Sequence, residues 1–176
     1  DTARRGSRCH CRTGDGKTAV RAARTPDLLM NNSAAKDGGI FMTIALIAHD
    51  AKKELMVQFC MAYRHILEQH RLLATGTTGR LVEENAGLKV TKFLPGGHGG
   101  AEQIVARIAC EEVDMLLFFR DPISAKPNEP NEMNLLRICD VHNIPVATNI
   151  ATAEVLIHGL EHGDLDWRTI LHPSHA

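Results

Sequence analysis

From Thr43 onward, short unbroken apolar runs alternate with stretches that have helical spacing. Thr43-Ile-Ala-Leu-Ile-Ala48 has the length and composition of a strand buried on both faces. Over residues 51–70, Leu55, Phe59, Ala62, Tyr63, Ile66 and Leu67 fall on one helical face, and Asp50 stands where it can cap that helix. Arg71 to Ala74 reads as a short strand, and Thr75-Gly-Thr-Thr-Gly79 turns into a helix over 78–86. Leu88 to Phe93 is a third strand, followed by the glycine-dense Pro95-Gly-Gly-His-Gly-Gly100 and a helix reaching Glu112. Asp114 to Phe119 is a fourth, strongly apolar strand. Three prolines between Asp121 and Pro130 predict a loop there. A helix over 131–142, a strand from Pro145 to Asn149 and a helix to residue 160 complete the pattern.

Five such β-α units predict an α/β fold: one doubly wound, Rossmann-like domain of about five mostly parallel strands with helices on both faces. Ligands of open sheets of this kind sit at the carboxyl ends of the strands. That rule directs attention to residues 49–53, 75–79, 94–103, 120–131 and 147–152.

Charge divides the 176 residues. Residues 1–41 carry eight Lys+Arg against four Asp+Glu, whereas 42–176 carry twelve against seventeen, and the whole chain has a net charge of -1. The expected organisation is a disordered basic extension over 1–41 and a folded domain over 42–176. Met42, directly before the first strand, motivates that boundary. The extension lacks the apolar core of a secretory signal, and no stretch approaches a membrane span. Its basic charge alone does not make a nucleic-acid interface, so neither nucleic acid nor a membrane is expected as a partner. Cys60, Cys110 and Cys139 fall on apolar helix faces and are expected to be buried thiols in a reducing cytoplasm. Cys9-His10-Cys11 lacks the second ligand pair of a zinc clip, so no metal site is expected.

Four segments could carry chemistry. The two glycines and three hydroxyls of Thr75-Gly-Thr-Thr-Gly79 suit a phosphate at a helix start, or serve only as a capped turn. It has neither the Gly-Lys-Ser/Thr of a P-loop nor the third glycine of a dinucleotide fingerprint. His49 and Asp50 end the first strand, with Lys53 one turn on. Gly96 to Gly100, with His98 inside and Glu102 beyond, form a backbone able to wrap a ligand. Asp121, at the mouth of the fourth strand, is a candidate acid or base.

Taken in order, Ile44-Ala-Leu-Ile-Ala-His-Asp50, Ala74-Thr-Gly-Thr-Thr-Gly79, Gly99-Gly100 with Gln103, Phe118-Phe-Arg-Asp-Pro122 and Ile144-Pro-Val-Ala-Thr-Asn149 resemble the methylglyoxal synthase family over residues 43–162. The resemblance implies conversion of dihydroxyacetone phosphate to methylglyoxal and inorganic phosphate, without metal or organic cofactor, in a homohexamer inhibited by phosphate. It implies that His49 contacts the substrate oxygen and that Asp50 and Asp121 are active-site carboxylates. Lys53, Thr75, Gly76, Thr77 and Thr78 would hold phosphate, with Gly96. The family pattern Ser-Gly-Pro-x-Gly-Gly-Asp-x-Gln corresponds to Pro95 through Gln103, so Ala101 stands at the position of the catalytic Asp and Pro95 at that of the Ser. Asn128, expected to line the substrate site, and Asn131 stand where the family carries His and Asp. With Ala101 unable to accept a proton, the expected base is one of Asp50, Asp121, Glu102 and His98. The alternative is a catalytically impaired phosphate- or phosphosugar-binding module, as in the ligand-sensing domain of carbamoyl phosphate synthetase.

Overall fold

The structure, a computed structural model, describes residues 41–123 and 132–168; Asn128 and the basic extension lie outside the described residues. Five strands form one sheet: β1 Thr43–Ala48, β2 Arg71–Ala74, β3 Val90–Lys92, β4 Met115–Phe119 and β5 Val146–Ala147. All are parallel, in the order β3-β2-β1-β4-β5. The helices are α1 Lys53–Ala62, α2 Arg64–Leu67, α3 Gly76–Ala86, α4 Gly100–Ala109, α5 Glu132–Val141 and α6 Ile150–Glu161.

The two faces of the central strands follow their two-residue side-chain period. Ile44, Leu46 and Ala48 of β1, with Met115, Leu117 and Phe119 of β4, pack with Met56 and Phe59 of α1, Val82 of α3 and Ile157 of α6. Ala45, Ile47, Leu116 and Phe118 pack with Ala101, Ile104 and Ile108 of α4 and Leu135 and Cys139 of α5. Every residue of β1 and β4 is buried, which is why both read as unbroken apolar runs. Each fully buried Leu, Ile or Phe contributes roughly 1.5–3 kcal/mol of apolar transfer. After β1 the chain moves outward through β2 to β3, then returns to place β4 on the other side of β1. The sheet therefore has its switch point between the carboxyl ends of β1 and β4.

Several local expectations are corrected. The single helix over 51–70 is three pieces: a 3₁₀ turn Asp50–Lys52, then α1, then α2 beyond Tyr63, whose φ of -104° and ψ of 23° break the α-helix. The break resets the helical phase. Met56, Phe59 and Cys60 are buried together with Ile66 and Leu67, whereas Ala62 is exposed and Leu55 and Tyr63 are half-buried. Asp50 lies inside the first turn rather than at its cap, which His49 occupies. Cys110 is exposed, because α4 ends at Ala109 and Cys110 follows its apolar face; Cys60 and Cys139 are buried, and burial pushes both thiols up to about 12. The second helix starts at Gly76, with extended Thr75 (φ -63°, ψ 147°) at its N-cap position. β3 and β5 are edge strands with one neighbour each, and they are shorter than the strands expected over 88–93 and 145–149.

Candidate active site

His49 leaves β1 at the switch point. Its main-chain N–H donates to the Phe119 carbonyl at 3.0 Å, extending the β1–β4 ladder by one residue. Its carbonyl accepts from the Lys52 N–H at 2.8 Å and opens the 3₁₀ turn. The ring is 1% exposed and stands edge-on to Phe118, centroids 5.2 Å apart. Its Nδ1 accepts the backbone N–H of Asp121 at 2.9 Å, across 72 residues of sequence. A ring nitrogen that accepts carries no proton, so this bond places the proton of a neutral imidazole on Nε2. The sheet thus fixes both the position and the tautomer of His49.

Asp121 is half-buried, and its Oδ1 accepts the Ile123 N–H at 3.1 Å, a short side-chain turn that aims the carboxyl group. Lys53 and Asp50 form an ion pair of 2.5 Å, with the lysine side chain 20% and the aspartate 49% exposed. Asp50 is therefore tied to a cation at the surface, while Asp121 lies beside the buried histidine.

One strand over, Thr75 and Thr78 are buried, and Thr75 Oγ1 donates to Thr78 Oγ1 at 3.2 Å. The Gly79 N–H donates to the Thr75 carbonyl at 2.8 Å, closing the first turn of α3. The Gly76 N–H is already bound to the Leu94 carbonyl at 3.0 Å, so Gly76 and Thr77 bound the half-exposed part of this loop without that donor being available to a ligand. A Cβ on Gly76 would stand 2.7 Å from the Phe93 carbonyl oxygen.

The glycine segment is more ordered than a wrapping loop. Gly96–His98 form a 3₁₀ turn, and the His98 and Gly100 N–H groups both donate to the Pro95 carbonyl, at 2.9 and 3.1 Å. Gly99 takes a left-handed φ of 92°, and a Cβ on Gly100 would fall 1.8 Å from the Leu94 carbonyl oxygen. Gln103, one turn into α4, accepts the Leu94 N–H on its Oε1 at 2.9 Å. The segment after β3 is thereby wedged between the starts of α3 and α4, and the glycines make that approach possible. His98 and Glu102 are exposed, and Ala101 is buried 3% exposed among the apolar residues of α4 and β1.

The sheet thus carries this constellation on the carboxyl ends of its strands. A family model described as "MGS-like domain" matches residues 55–148. Methylglyoxal synthase of Caldicellulosiruptor saccharolyticus is 62% identical over 133 residues, which cover 76% of this chain and 94% of the relative.

The chain belongs to the methylglyoxal synthase family.

The family's enzyme from Thermoanaerobacterium thermosaccharolyticum is 59% identical over 127 residues, 72% of this chain and 95% of the relative. A crystal structure of methylglyoxal synthase from Elizabethkingia anophelis superimposes with a TM-score of 0.65 at 39% identity, covering 66% of this chain and 77% of that one. Measured against the family pattern, the structure brings His49 and Asp121 into direct contact and sets the Lys53–Asp50 pair one turn away. Thr75 and Thr78 lie at the end of the neighbouring strand. It does not turn His98 or Glu102 into the fold, and Asn128 lies outside the described residues. Sequence reasoning matched Gln103 to the pattern but gave it no role; its signal was a Gln one turn into the helix after the glycines, able to reach back to the strand end.

Proposed function

We propose that the chain is a methylglyoxal synthase, converting dihydroxyacetone phosphate to methylglyoxal and inorganic phosphate. The observation that carries this reading is the contact between His49 Nδ1 and the Asp121 N–H at the switch point, in a chain 62% identical to a named synthase. In the mechanism we propose, the Asp121 carboxylate takes a proton from the hydroxymethyl carbon of the substrate. The electron pair moves into the carbonyl, and the developing enediolate oxygen is stabilised by the Nε2–H of His49. The hydroxyl proton on the deprotonated carbon then passes to the departing phosphate as a carbonyl forms there, the double bond shifts to the methylene carbon and the bond to phosphate breaks; Asp121 returns its proton to the resulting enolate, and the enol tautomerises to methylglyoxal. Lys53 and the Thr75–Thr78 loop, helped by Gly96, hold the phosphate dianion. Asp121 is preferred as the base over Asp50, which is paired with Lys53, and over Glu102 and His98, which point to solvent.

The domain that acts is residues 42–176, in a cytoplasmic homohexamer. Exposed apolar side chains, among them Ile123 at 90%, Met133 at 76% and Val155 at 71%, support an assembly that covers them. Among the described residues no helix is long and apolar enough to cross a membrane.

Incubation with dihydroxyacetone phosphate should yield methylglyoxal and phosphate in equal amounts. Folded protein that gives neither above background would overturn the reading. Asp121→Asn should lower kcat about 10²–10⁴-fold, the usual contribution of a general base. If Asp121→Asn leaves the rate intact while Ala101→Asp raises it, Asp121 is not the base.

A further inference from the structure

Phe93 and Leu94, which follow β3, bracket Thr75 from both sides. The Phe93 N–H donates to the Ala74 carbonyl at 2.9 Å, and the Leu94 carbonyl accepts the Gly76 N–H at 3.0 Å. The start of the Thr75–Thr78 loop therefore stands where Phe93 and Leu94 put it. Those two residues are held in turn by α4. Gln103 and Arg107 stand at i and i+4 of that helix and project from one face of it. Gln103 grips Leu94, whose N–H donates to its Oε1 at 2.9 Å. Arg107 grips Phe93, with its guanidinium carbon 5.9 Å from the ring centroid. A guanidinium at that distance is attracted by the negative face of the ring. Phe93 is half-buried and also packs against the apolar cluster beneath α4, which keeps its ring in place. The helix is a firm base, because Ile104 and Ile108 are fully buried against the sheet.

Arg107 is itself aimed. It forms an ion pair with Glu112, and the Glu112 N–H donates to the Arg107 carbonyl at 3.0 Å, folding the turn after α4 back on the helix. An exposed ion pair contributes little to stability alone. Here it holds a long side chain in the rotamer that lies over the ring. We propose that Arg107 is a positioning residue for the phosphate-holding loop. It fixes Phe93, and the hydrogen bonds of Phe93 to Ala74 and of Gly76 to Leu94 carry that placement to Thr75. This rests on the reading above, in which the Thr75–Thr78 loop holds the substrate phosphate. The fit of the loop to phosphate matters equally before and during the reaction, so the role of Arg107 belongs to KM rather than to kcat.

The test combines steady-state kinetics on dihydroxyacetone phosphate with amide hydrogen exchange of the ligand-free full chain. Arg107→Met keeps a long side chain and removes the cation. KM should rise about two- to fivefold, the strength of a cation over an exposed ring, while kcat changes less than about twofold. The Gly76 amide, protected by its bond to Leu94, should exchange faster by about the same two- to fivefold factor. Arg107→Lys keeps a cation for the ring but loses the planar fork, and should give an intermediate KM. Glu112→Gln leaves Phe93 and Arg107 in place and should move KM the same way by less. Arg64→Met removes another exposed, ion-paired arginine, on α2, and should leave KM unchanged, which separates positioning from net charge. An unchanged KM or an unchanged Gly76 exchange rate in Arg107→Met would overturn the proposal, as would a KM rise that Arg64→Met reproduces. Absence of turnover in the unmodified protein counts against the synthase reading instead, and the Gly76 exchange rate then still decides whether Arg107 holds the loop.

Discussion

At the scale of single residues, the glycines after β3 show how one side chain's absence can serve packing. Gly99 and Gly100 adjoin, yet their reasons differ. Gly99 needs its hydrogen because φ is 92°, with no atom within 4 Å of a built Cβ. Gly100 needs it because a Cβ would overlap the Leu94 carbonyl oxygen at 1.8 Å. Gly99→Ala should therefore cost about 1 kcal/mol of left-handed backbone strain. Gly100→Ala should cost more, about 1–3 kcal/mol or beyond, because backbone must move. Thermal melts should rank the two in that order, with a difference of several degrees for a chain of this length. The same scale separates the candidate bases. Sequence could name Asp50, Asp121, Glu102 and His98 because each stands at a strand end or helix start. It could not say that the Asp121 backbone N–H meets His49 Nδ1, because that contact spans 72 residues of sequence.

At the scale of elements, strands were more legible than helix phase. β1 and β4 are buried on both faces, so an unbroken apolar run suffices to find them. The helix after β1 has apolar residues on more than one face, and only packing against the sheet and α3 decides that Met56 and Cys60 go inside rather than Ala62. The loop after β3 was legible as glycine-rich but not as a fixed wedge. Leu94 is held from both sides, its N–H by Gln103 and its carbonyl by the Gly76 N–H. Gln103→Ala removes one of these ties from an exposed bond, a loss of about 0.5–1.5 kcal/mol. The expected result is a small fall in melting temperature with a larger rise in KM for dihydroxyacetone phosphate, since the loop adjoins the Thr75–Thr78 turn. An unchanged KM would separate the loop from substrate binding.

At the scale of the whole molecule, the amino ends of the strands carry a buried polar lock opposite the candidate active site. Asp114 accepts the Thr43 N–H on Oδ2 at 2.8 Å, and Arg168, 3% exposed, stands with its Nε 3.8 Å from Asp114 Oδ1 and donates to the Asn143 carbonyl. Burial pulls the Arg168 guanidinium down from its ordinary range, and Asp114 opposes that pull. Arg168→Leu should destabilise the fold by roughly 3–5 kcal/mol, because it leaves a buried carboxylate without its cation. Urea titration would measure it; a loss under 1 kcal/mol would mean that solvent reaches Asp114. His70 lies at the same end, where its Nδ1 accepts the Met42 N–H at 3.4 Å. Burial pulls its pKa below 6.5, more than Asp114 raises it. The fold thus favours neutral His70, so its contribution is complete above about pH 6.5 and is lost as pH falls below that value, where the unfolded chain takes up the proton first. The urea midpoint should fall between pH 7.5 and 5.5, and His70→Gln should reduce that fall. By itself the sequence determined the five β-α units, the parallel sheet and the strand ends where chemistry could lie, because each is encoded by local apolar period and turn residues. Only the tertiary structure decided which backbone N–H meets His49, why Gly100 carries no side chain, and that Lys52 and Arg120 line one cavity. Those facts come from strand order and from contacts between segments far apart in the chain, which no local pattern contains.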